Sequence, residues 1–410
     1  MTEKHDNMDE PQGQSGKLGV RSLGPAFITA ALVLGPGSLT VSTNIGALYG
    51  YDLIWMLALT ALCMMAFTSM SARIGMANKE SLLSITRGKS LLLTIVLGIG
   101  AFFVTTSFQA GNAIGAGVSI GSLTNSSYII WTVLFTAFAI SLLFFKEYYK
   151  ILEKLTLILV LVMLLSFGLT LILAGPDIPG ILGGFVPSFP AGSTALTIAM
   201  VATTLSMVGA LYQSYFVQQK GWTEKDVATG SKETYLGISM LGLISALLMI
   251  SAANILLPQG ITVDDVSDLA GVLEPLYGSA ASIIFMIGLW GAAITSLTAN
   301  ATIGGALLAD AIGLGKDLSQ KGPRICIMLV MLFGAGVALI FGAAPLELII
   351  FAQGVTILVA PIIGVVLMWL ANDKKVVGAN KNKLWHNIVG VLGLILVIVF
   401  AANNFIDIFL

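Results

Sequence analysis

Apolar residues occur along the chain in long, nearly continuous runs that are separated by short polar segments. A run of about 20 apolar residues is long enough to cross a bilayer as an α-helix. We interpret each run as a helix, because in lipid the backbone groups of a single segment find no other partners. We therefore predict an all-α, polytopic membrane protein with eleven transmembrane helices, spans 1 to 11, at residues 22–48, 52–72, 92–120, 128–146, 153–174, 194–216, 234–256, 279–311, 324–343, 346–371 and 386–408.

The composition supports a membrane protein and excludes several other classes. Hydrophobic residues make up 57% of the chain and charged residues only 10%, whereas about 25% of a soluble domain is charged. Nucleic-acid binding is not expected, because there is no basic stripe. The cysteines Cys63 and Cys326 lie in apolar runs, where the expected role is that of a small buried side chain. We expect a monomer in a lipid bilayer, with no cofactor.

The charged residues predict the orientation of the spans. If the N-terminus lies in the cytoplasm, all 20 Lys and Arg residues fall at cytoplasmic positions. The outer loops instead carry acids, which are Asp52, Asp177, Asp264, Asp265, Asp268 and Glu274. By the positive-inside rule, we predict a multi-pass protein of the plasma membrane with a cytoplasmic N-terminus and an extracellular C-terminus. Residues 1–21 are polar and predict a flexible cytoplasmic tail.

Two of the spans contain helix-breaking, uncharged polar segments. Span 1 contains "GPGSLTVSTN" at residues 35–44, and span 6 contains "TTLSMVG" at residues 203–209. Proline removes a helical donor and glycine tolerates the resulting dihedral angles. Interrupted helices at corresponding positions of two halves are typical of inverted-repeat transporters with a binding site at the midplane. The alternative is a kink that serves only helix packing.

Further polar side chains follow spans 3, 8 and 10. Thr105, Gln109 and Asn112 share one face of span 3. The other polar residues of these spans are Thr106 on span 3, Thr295, Ser296, Thr298, Asn300 and Thr302 on span 8, and Gln353 and Thr356 on span 10. In lipid, such side chains either hold helices together or line a pathway.

The segment "GPGSLTVSTNIGALYGYDLIW" resembles the first helix of the NRAMP (natural resistance-associated macrophage protein) divalent-metal transporters, which reads Asp-Pro-Gly-Asn at the break. Span 6 resembles the Met-Pro-His helix of that family, and Gln353 with Pro361 resembles its tenth helix. The resemblance implies the leucine-transporter fold, a 5+5 inverted repeat. Its repeats would be residues 22–174 and 194–371, with an additional helix at 386–408.

The chain departs from the family pattern at the site itself. Gly35 stands where the family has its metal-binding aspartate, Ser38 replaces the asparagine, and Gly209 replaces the proton-linked histidine. Span 3 has Thr106 and Gln109 where the family has acids, which predicts little or no proton coupling. Of the family's metal ligands, the resemblance leaves only Met207 and Gln353. The chain thus resembles a divergent member of the family.

Two substrate classes remain open. No Asp or Glu falls near the middle of a span, and a divalent ion in a low-dielectric site needs opposite charge or many oxygen ligands. A helix N-terminus after Gly37 instead suits a carboxylate. We therefore expect a small organic, carboxylate-bearing solute; a low-affinity divalent cation such as magnesium or manganese is the alternative. A tight site would favour the ion, and a roomy one the organic solute.

The predicted site residues follow from these observations. The substrate-binding candidates are Gly35, Gly37, Ser38, Thr40, Thr204, Met207, Gly209 and Gln353. The candidates for the pathway or for coupling are Thr106, Gln109, Asn112, Thr295 and Ser296. A companion monovalent cation near Thr295 or Ser296 would make the protein a symporter. A channel or a transporter-like receptor is a further alternative, and an enzyme is not expected, because the spans contain no acid–base pair.

Overall fold

The computed structural model describes residues 35–144, 146–261, 263, 266–341 and 345–409. The predicted tail at 1–21 and the first half of predicted span 1 lie outside these residues. The described α-helices, α1 to α17, are Pro36–Tyr49, Ile54–Ala77, Leu82–Lys89, Leu91–Thr124, Tyr128–Leu142, Lys146–Ala174, Ile178–Gly183, Thr194–Thr204, Met207–Gln219, Val227–Ile255, Glu274–Tyr277, Ala281–Ala311, Lys321–Phe341, Pro345–Val355, Ala360–Asn372, Lys374–Val377 and Leu384–Phe409.

The all-α membrane fold predicted from the apolar runs is confirmed. Among the described residues, seven helical segments are long and apolar enough to cross a bilayer, and an eighth does so if the bent pair α14–α15 is one span. The helix α5 and residues Ile158–Ala174 of α6 are apolar but shorter, and α1 is the second half of predicted span 1. The count of eleven spans therefore stays a prediction.

The predicted break in span 6 is present. The helix α8 ends at Thr204 and α9 begins at Met207, so Leu205 and Ser206 separate two half-helices. The Ser206 hydroxyl caps the second half by accepting a hydrogen bond from the Gly209 N–H at 3.4 Å. Because serine is a favoured N-cap residue, the polar segment of span 6 both ends one helix and starts the next.

Span 10 is also broken, which the sequence interpretation missed. The helices α14 and α15 meet at a 42° bend near Val359, after a short 3₁₀ turn at Thr356–Leu358. Pro361 lies in the first turn of α15. Because proline lacks an N–H and clashes with the preceding turn, a continuous helix through this position is disfavoured.

The long helices pack in two groups. In one group, α4 packs along α12, and both helices contact α13; these helices correspond to spans 3, 8 and 9. In the other group, α1 packs on α10, and α9 and α10 pack on α2. The approach of α1 to α10 is so close that a Cβ atom on Gly46 would overlap the Met249 carbonyl oxygen. The start of α1 lies where these two groups meet.

The two cysteines behave as the sequence predicts. Cys63 lies on α2 and Cys326 on α13, and both are free and buried. They act as small apolar side chains in the packing between helices.

Candidate functional site

The candidate site lies at the N-terminal end of α1. Gly35 is the N-cap residue, with extended backbone angles (φ −95°, ψ 175°), and it contributes no side-chain cap. The Leu39 N–H donates to the Gly35 carbonyl oxygen at 3.2 Å, which closes the first turn. Pro36 occupies the first helical position, where its missing N–H costs no intrahelical bond. The "GPG" segment therefore starts a helix at Pro36.

Side chains from three other helices surround this start. A Cβ atom on Gly35 would lie 3.1 Å from the Ser296 Oγ of α12 and 3.2 Å from the Asn112 Oδ1 of α4. A Cβ atom on Gly37 would lie 3.0 Å from the Gln353 Cγ of α14 and would overlap the end of that side chain. We call Gly35, Gly37, Asn112, Ser296 and Gln353 the central cluster. The structure thus brings together five predicted residues from spans 1, 3, 8 and 10.

The central cluster is neutral and contains unsatisfied oxygen atoms. Ser296 is 5% exposed and Gln353 is 2% exposed. The Ser296 Oγ and the Gln353 Oε1 have no hydrogen-bond partner among the described residues. A buried polar atom left unpaired costs about 1–3 kcal/mol, and most such atoms in native structures do find a partner. These oxygen atoms are therefore available to a ligand.

Of the predicted pathway residues, Gln109 links two helices, and the Thr295 hydroxyl is satisfied within its own helix. The Gln109 Nε2 donates to the Leu297 carbonyl oxygen at 2.9 Å. The Asn300 Nδ2 donates to the Thr105 carbonyl oxygen at 2.7 Å and to the Gln109 Oε1 at 3.3 Å. The Thr295 hydroxyl bonds back to its own helix, at 3.0 Å from the carbonyl oxygens of Gly291 and Ala292. Gln109 thus links α4 to α12 beside the central cluster.

The other candidates on α1 and α4 are also buried. Along the sequence they lie within a few residues of the central cluster. Ser38 directly follows Gly37 and is 7% exposed. Thr40 is fully buried, and Thr106 on α4 is 8% exposed. The Oγ1 atoms of Thr40 and Thr106 have no hydrogen-bond partner in the described part of the chain.

The candidates on span 6 have different surroundings. Thr204 is buried at the end of α8, directly before the break. The Met207 methyl group lies 3.1 Å from the position of a Cβ atom on Gly364, close to Phe67, in the apolar core. Gly209 lies next to its own cap, Ser206, with Met64 of α2 beyond it. In this conformation the Met207 thioether therefore belongs to the core packing against α15.

Acids and soft ligands do not cluster around the break in the described part of the chain. Among the residues that the structure describes, no group of three or more His, Cys, Asp or Glu side chains could hold a metal ion. Asp310 lies near the end of α12, where its Oδ2 accepts a hydrogen bond from the Tyr215 hydroxyl of α9 at 2.6 Å. Any cation at the central cluster would therefore meet neutral oxygen ligands.

One buried polar residue of the segment at 35–44 is not among the predicted site residues. Asn44 of α1 is 4% exposed, and its Oδ1 has no hydrogen-bond partner among the described residues. The signal was its spacing, because Asn44 follows Thr40 by four residues and Gly37 by seven. Residues at such spacings share one face of a helix.

Comparison with known proteins identifies the family. A model of natural resistance-associated macrophage protein-like sequences matches residues 26–407. The divalent metal cation transporter MntH of Deinococcus radiodurans is 25% identical over 413 residues, which cover 96% of this chain and 92% of the relative. The MntH of Bacillus subtilis is 23% identical over 394 residues, covering 94% of this chain and 91% of the relative.

Solved structures share the fold. The Eremococcus coleocola manganese transporter, in complex with an aromatic bis-isothiourea substituted compound, superposes with a TM-score of 0.77 at 19% identity, covering 98% of this chain and 88% of that one. MhsT in complex with L-phenylalanine superposes with a TM-score of 0.59 at 15% identity, covering 94% of this chain and 98% of that one. Because the family model spans nearly the whole sequence, the chain belongs to the NRAMP family of membrane transporters.

Proposed function

We propose that the protein is a secondary transporter of a hard divalent cation, magnesium- or manganese-like, which binds weakly at the central cluster. The curated relatives that the chain resembles are described as divalent metal cation transporters. These comparisons favour the alternative substrate over the organic, carboxylate-bearing solute expected from the missing acid, which they do not support.

The observation that carries the proposal is the set of unpaired oxygen atoms at the break of span 1. The Ser296 Oγ and the Gln353 Oε1 are buried without partners among the described residues, and the Asn112 Oδ1 faces the same glycine as Ser296. Hydroxyl and amide oxygens are ligands that Mg²⁺ and Ca²⁺ accept. Because none of these ligands carries a charge, we propose low affinity and a cation that keeps part of its water shell.

The tight packing of the central cluster favours an ion over an organic solute. A single added Cβ atom at Gly37 would overlap Gln353, and one at Gly35 would touch both Ser296 and Asn112. A solute with several heavy atoms would have to separate α1 from α4, α12 and α14. A cation only has to replace a few water molecules between oxygen atoms.

The ligand types also argue against a soft-metal site. Transition metals prefer imidazole, thiolate or thioether ligands to neutral oxygen atoms alone. The Met207 methyl group packs against α15, so the thioether would have to rotate before it could reach a cation at the break. We therefore propose weak discrimination between magnesium and manganese.

The fold supports a mechanism of alternating access. The start of α1 lies at the central cluster, and span 6 is interrupted between α8 and α9. Movement of spans 1 and 6 against spans 3 and 8 would therefore expose the cluster to one side of the membrane at a time. The positive-inside pattern supports a plasma-membrane protein with a cytoplasmic N-terminus. With Thr106 and Gln109 neutral, we propose transport without proton coupling.

Uptake by reconstituted protein tests the proposal. Vesicles containing the purified protein are loaded with a fluorescent divalent-cation indicator and then exposed to Mg²⁺ or Mn²⁺. We expect saturable uptake that Ser296→Ala weakens, since it removes an oxygen atom from the central cluster. Thr295→Ala is the matched control, because the Thr295 hydroxyl is already bonded to its own helix. Equal loss in both variants, or uptake of carboxylate-bearing solutes without divalent uptake, would refute the proposal.

A further inference from the structure

We propose that α1 carries a second cation-binding position, the outer subsite, formed by the Thr40 Oγ1 and the Asn44 Oδ1. This inference rests on the proposed divalent-cation transport. The outer subsite would bind the same hard cation between the central cluster and the C-terminal end of α1. That end faces outward in the predicted orientation of the spans.

The helical geometry places both residues on the same side of α1 as Gly37. The contact between Gly37 and Gln353 fixes the direction of this face. At about 100° per residue, Thr40 and Asn44 point within roughly 60° and 20° of Gly37. At about 1.5 Å per residue, they lie about 4.5 and 10.5 Å further along the helix axis than Gly37. The outer subsite thus lies on the same side of α1 as Gln353 and further toward the C-terminal end of the helix.

The hydroxyl of Thr40 differs from that of its neighbour Thr43. The Thr43 Oγ1 donates to the Leu39 carbonyl oxygen at 2.8 Å, which is the usual way in which a buried helical threonine is satisfied. The Thr40 Oγ1 is buried and has no hydrogen-bond partner among the described residues. Both side chains are fully buried in the same helix, so burial alone does not explain the difference.

The amide of Asn44 adds a second ligand oxygen. Asn44 is 4% exposed, and its Oδ1 also has no hydrogen-bond partner in the described residues. The Thr40 Oγ1 and the Asn44 Oδ1, two unpaired oxygens one helical turn apart, form a polar lane along one face of α1. Leaving both atoms unsatisfied costs free energy, and a bound cation would remove that cost.

The ligand chemistry indicates a transient binding position. A hydroxyl and an amide oxygen suit a hard, partly hydrated divalent cation. Because both are neutral, binding would be weak enough for release, as conduction through successive sites requires. The Gln353 side chain, whose Oε1 is also buried and unpaired in the described part of the chain, contacts α1 at Gly37, at the start of the lane. A cation could therefore step from the central cluster to the outer subsite through neutral oxygens.

Matched substitutions in α1 test the outer subsite. Divalent uptake is measured from the side of the vesicle to which the C-terminal end of α1 points, with Mg²⁺ as the probe. Loss of one neutral polar contact typically changes an equilibrium by roughly two- to tenfold, so we expect Thr40→Ala and Asn44→Ala to raise KM by about that factor. Thr43→Ala should stay within about twofold of the wild type, because its hydroxyl is satisfied within the helix.

Two further variants keep the test decisive if the alanine variants fold poorly. Thr40→Ser keeps the hydroxyl and should behave as the wild type. Asn44→Asp adds a negative charge and should lower KM for Mg²⁺. If the wild type transports Mg²⁺ but Thr40→Ala and Asn44→Ala match Thr43→Ala, the outer subsite is refuted while the proposed function stands. If the wild type transports no divalent cation, the proposed function fails, and the outer subsite fails with it.

Discussion

Replacing Gly37 by alanine tests whether the packing at the break holds Gln353 in place. A Cβ atom at this position would lie 3.0 Å from the Gln353 Cγ and would overlap the amide end of that side chain. Because the overlap involves the stem of the side chain as well as its tip, rotation of the amide alone cannot relieve it. Gln353 would have to leave the central cluster.

The size of the effect follows from the packing. Overpacking of a well-packed core costs about 1–3 kcal/mol. The helix propensity of alanine offsets part of this overpacking cost, because glycine within a helix is about 0.5–1 kcal/mol less favourable than alanine. We therefore expect a net destabilisation of about 0–2.5 kcal/mol, together with weaker divalent uptake from the loss of the Gln353 Oε1.

Two other glycines provide matched controls. A Cβ atom on Gly111 would lie 3.4 Å from the Gln353 Nε2, which is ordinary contact, and one on Gly168 would meet nothing within 4 Å. Gly111→Ala and Gly168→Ala should therefore unfold at or slightly above the wild-type temperature in detergent. Uptake by Gly168→Ala should equal that of the wild type.

A double-mutant cycle identifies Gln353 as the cause. In Gly37→Ala/Gln353→Ala the clash is absent, so the stability loss caused by Gly37→Ala should shrink, and the two substitutions should not be additive. Uptake should stay low, because the ligand oxygen is gone. If Gly37→Ala is as stable and as active as Gly168→Ala, the described contact between α1 and α14 is incorrect.

The remaining predictions concern charge and closure. Gly35→Asp directs a carboxylate toward Ser296 and Asn112. It should tighten divalent binding at least about tenfold, since the ion gains a ligand of opposite charge. If calorimetry shows unchanged affinity, also after Ser38→Asn and Gly209→His are added, the result counts against the site. Tyr215→Phe removes the 2.6 Å hydrogen bond to Asp310 that joins α9 to α12, and should make a cysteine introduced between these helices react faster with a soluble thiol reagent; an unchanged rate would show that the bond does not hold the helices together. The pKa of Asp373 is lowered, chiefly by the hydrogen bond from Lys89 and then by the backbone N–H of Lys375. The interaction of Asp373 therefore stabilises the folded protein fully above its ordinary pKa of 3.8, and this stabilisation is lost as pH falls through the lower folded-state pKa. Asp373→Asn should remove this loss from the pH dependence of the thermal unfolding temperature. If the same loss persists in the variant, it has another origin.

Much of the fold could be predicted because lipid imposes a strong constraint on sequence. The long apolar runs correspond to the described helices, and the polar segment at 203–209 marks the break between α8 and α9. The sequence does not predict the bend of span 10, because the run at 346–371 has no polar cluster like those at 35–44 and 203–209 around Pro361, which falls near its middle. A proline within an apolar span is compatible with both a mild kink and a full break, so the angle depends on tertiary packing.

Residue type identified the candidate site but not the role of each hydroxyl or amide. Thr295 and Ser296 are neighbours on span 8, yet Thr295 bonds back to its own helix while the Ser296 Oγ stays unpaired among the described residues. Gln109 and Gln353 are both buried amides, and only Gln109 links two helices through a hydrogen bond to a carbonyl oxygen in the described part of the chain. These differences depend on rotamers and on the approach of neighbouring helices, which a single sequence does not specify.

The sequence alone does not predict the class of substrate. The missing acid at Gly35 favours an organic solute only if a charged ligand is required for cation binding. The packing around Gly35 and Gly37 and the unpaired oxygens of Ser296 and Gln353 instead favour a small, hard cation. Loss of the acid would then weaken cation binding without changing the class of substrate.

The concentration dependence of Mg²⁺ and Mn²⁺ uptake by the wild-type protein, recorded together with the internal pH of the vesicles, tests the central claim most directly. A site of neutral oxygens predicts half-saturation at the weak end of oxygen-ligand sites, about 10⁻⁴ to 10⁻³ M, with similar values for the two ions and no internal acidification. Micromolar affinity for Mn²⁺ with marked preference over Mg²⁺ and with acidification, or no uptake of either ion, would contradict the claim.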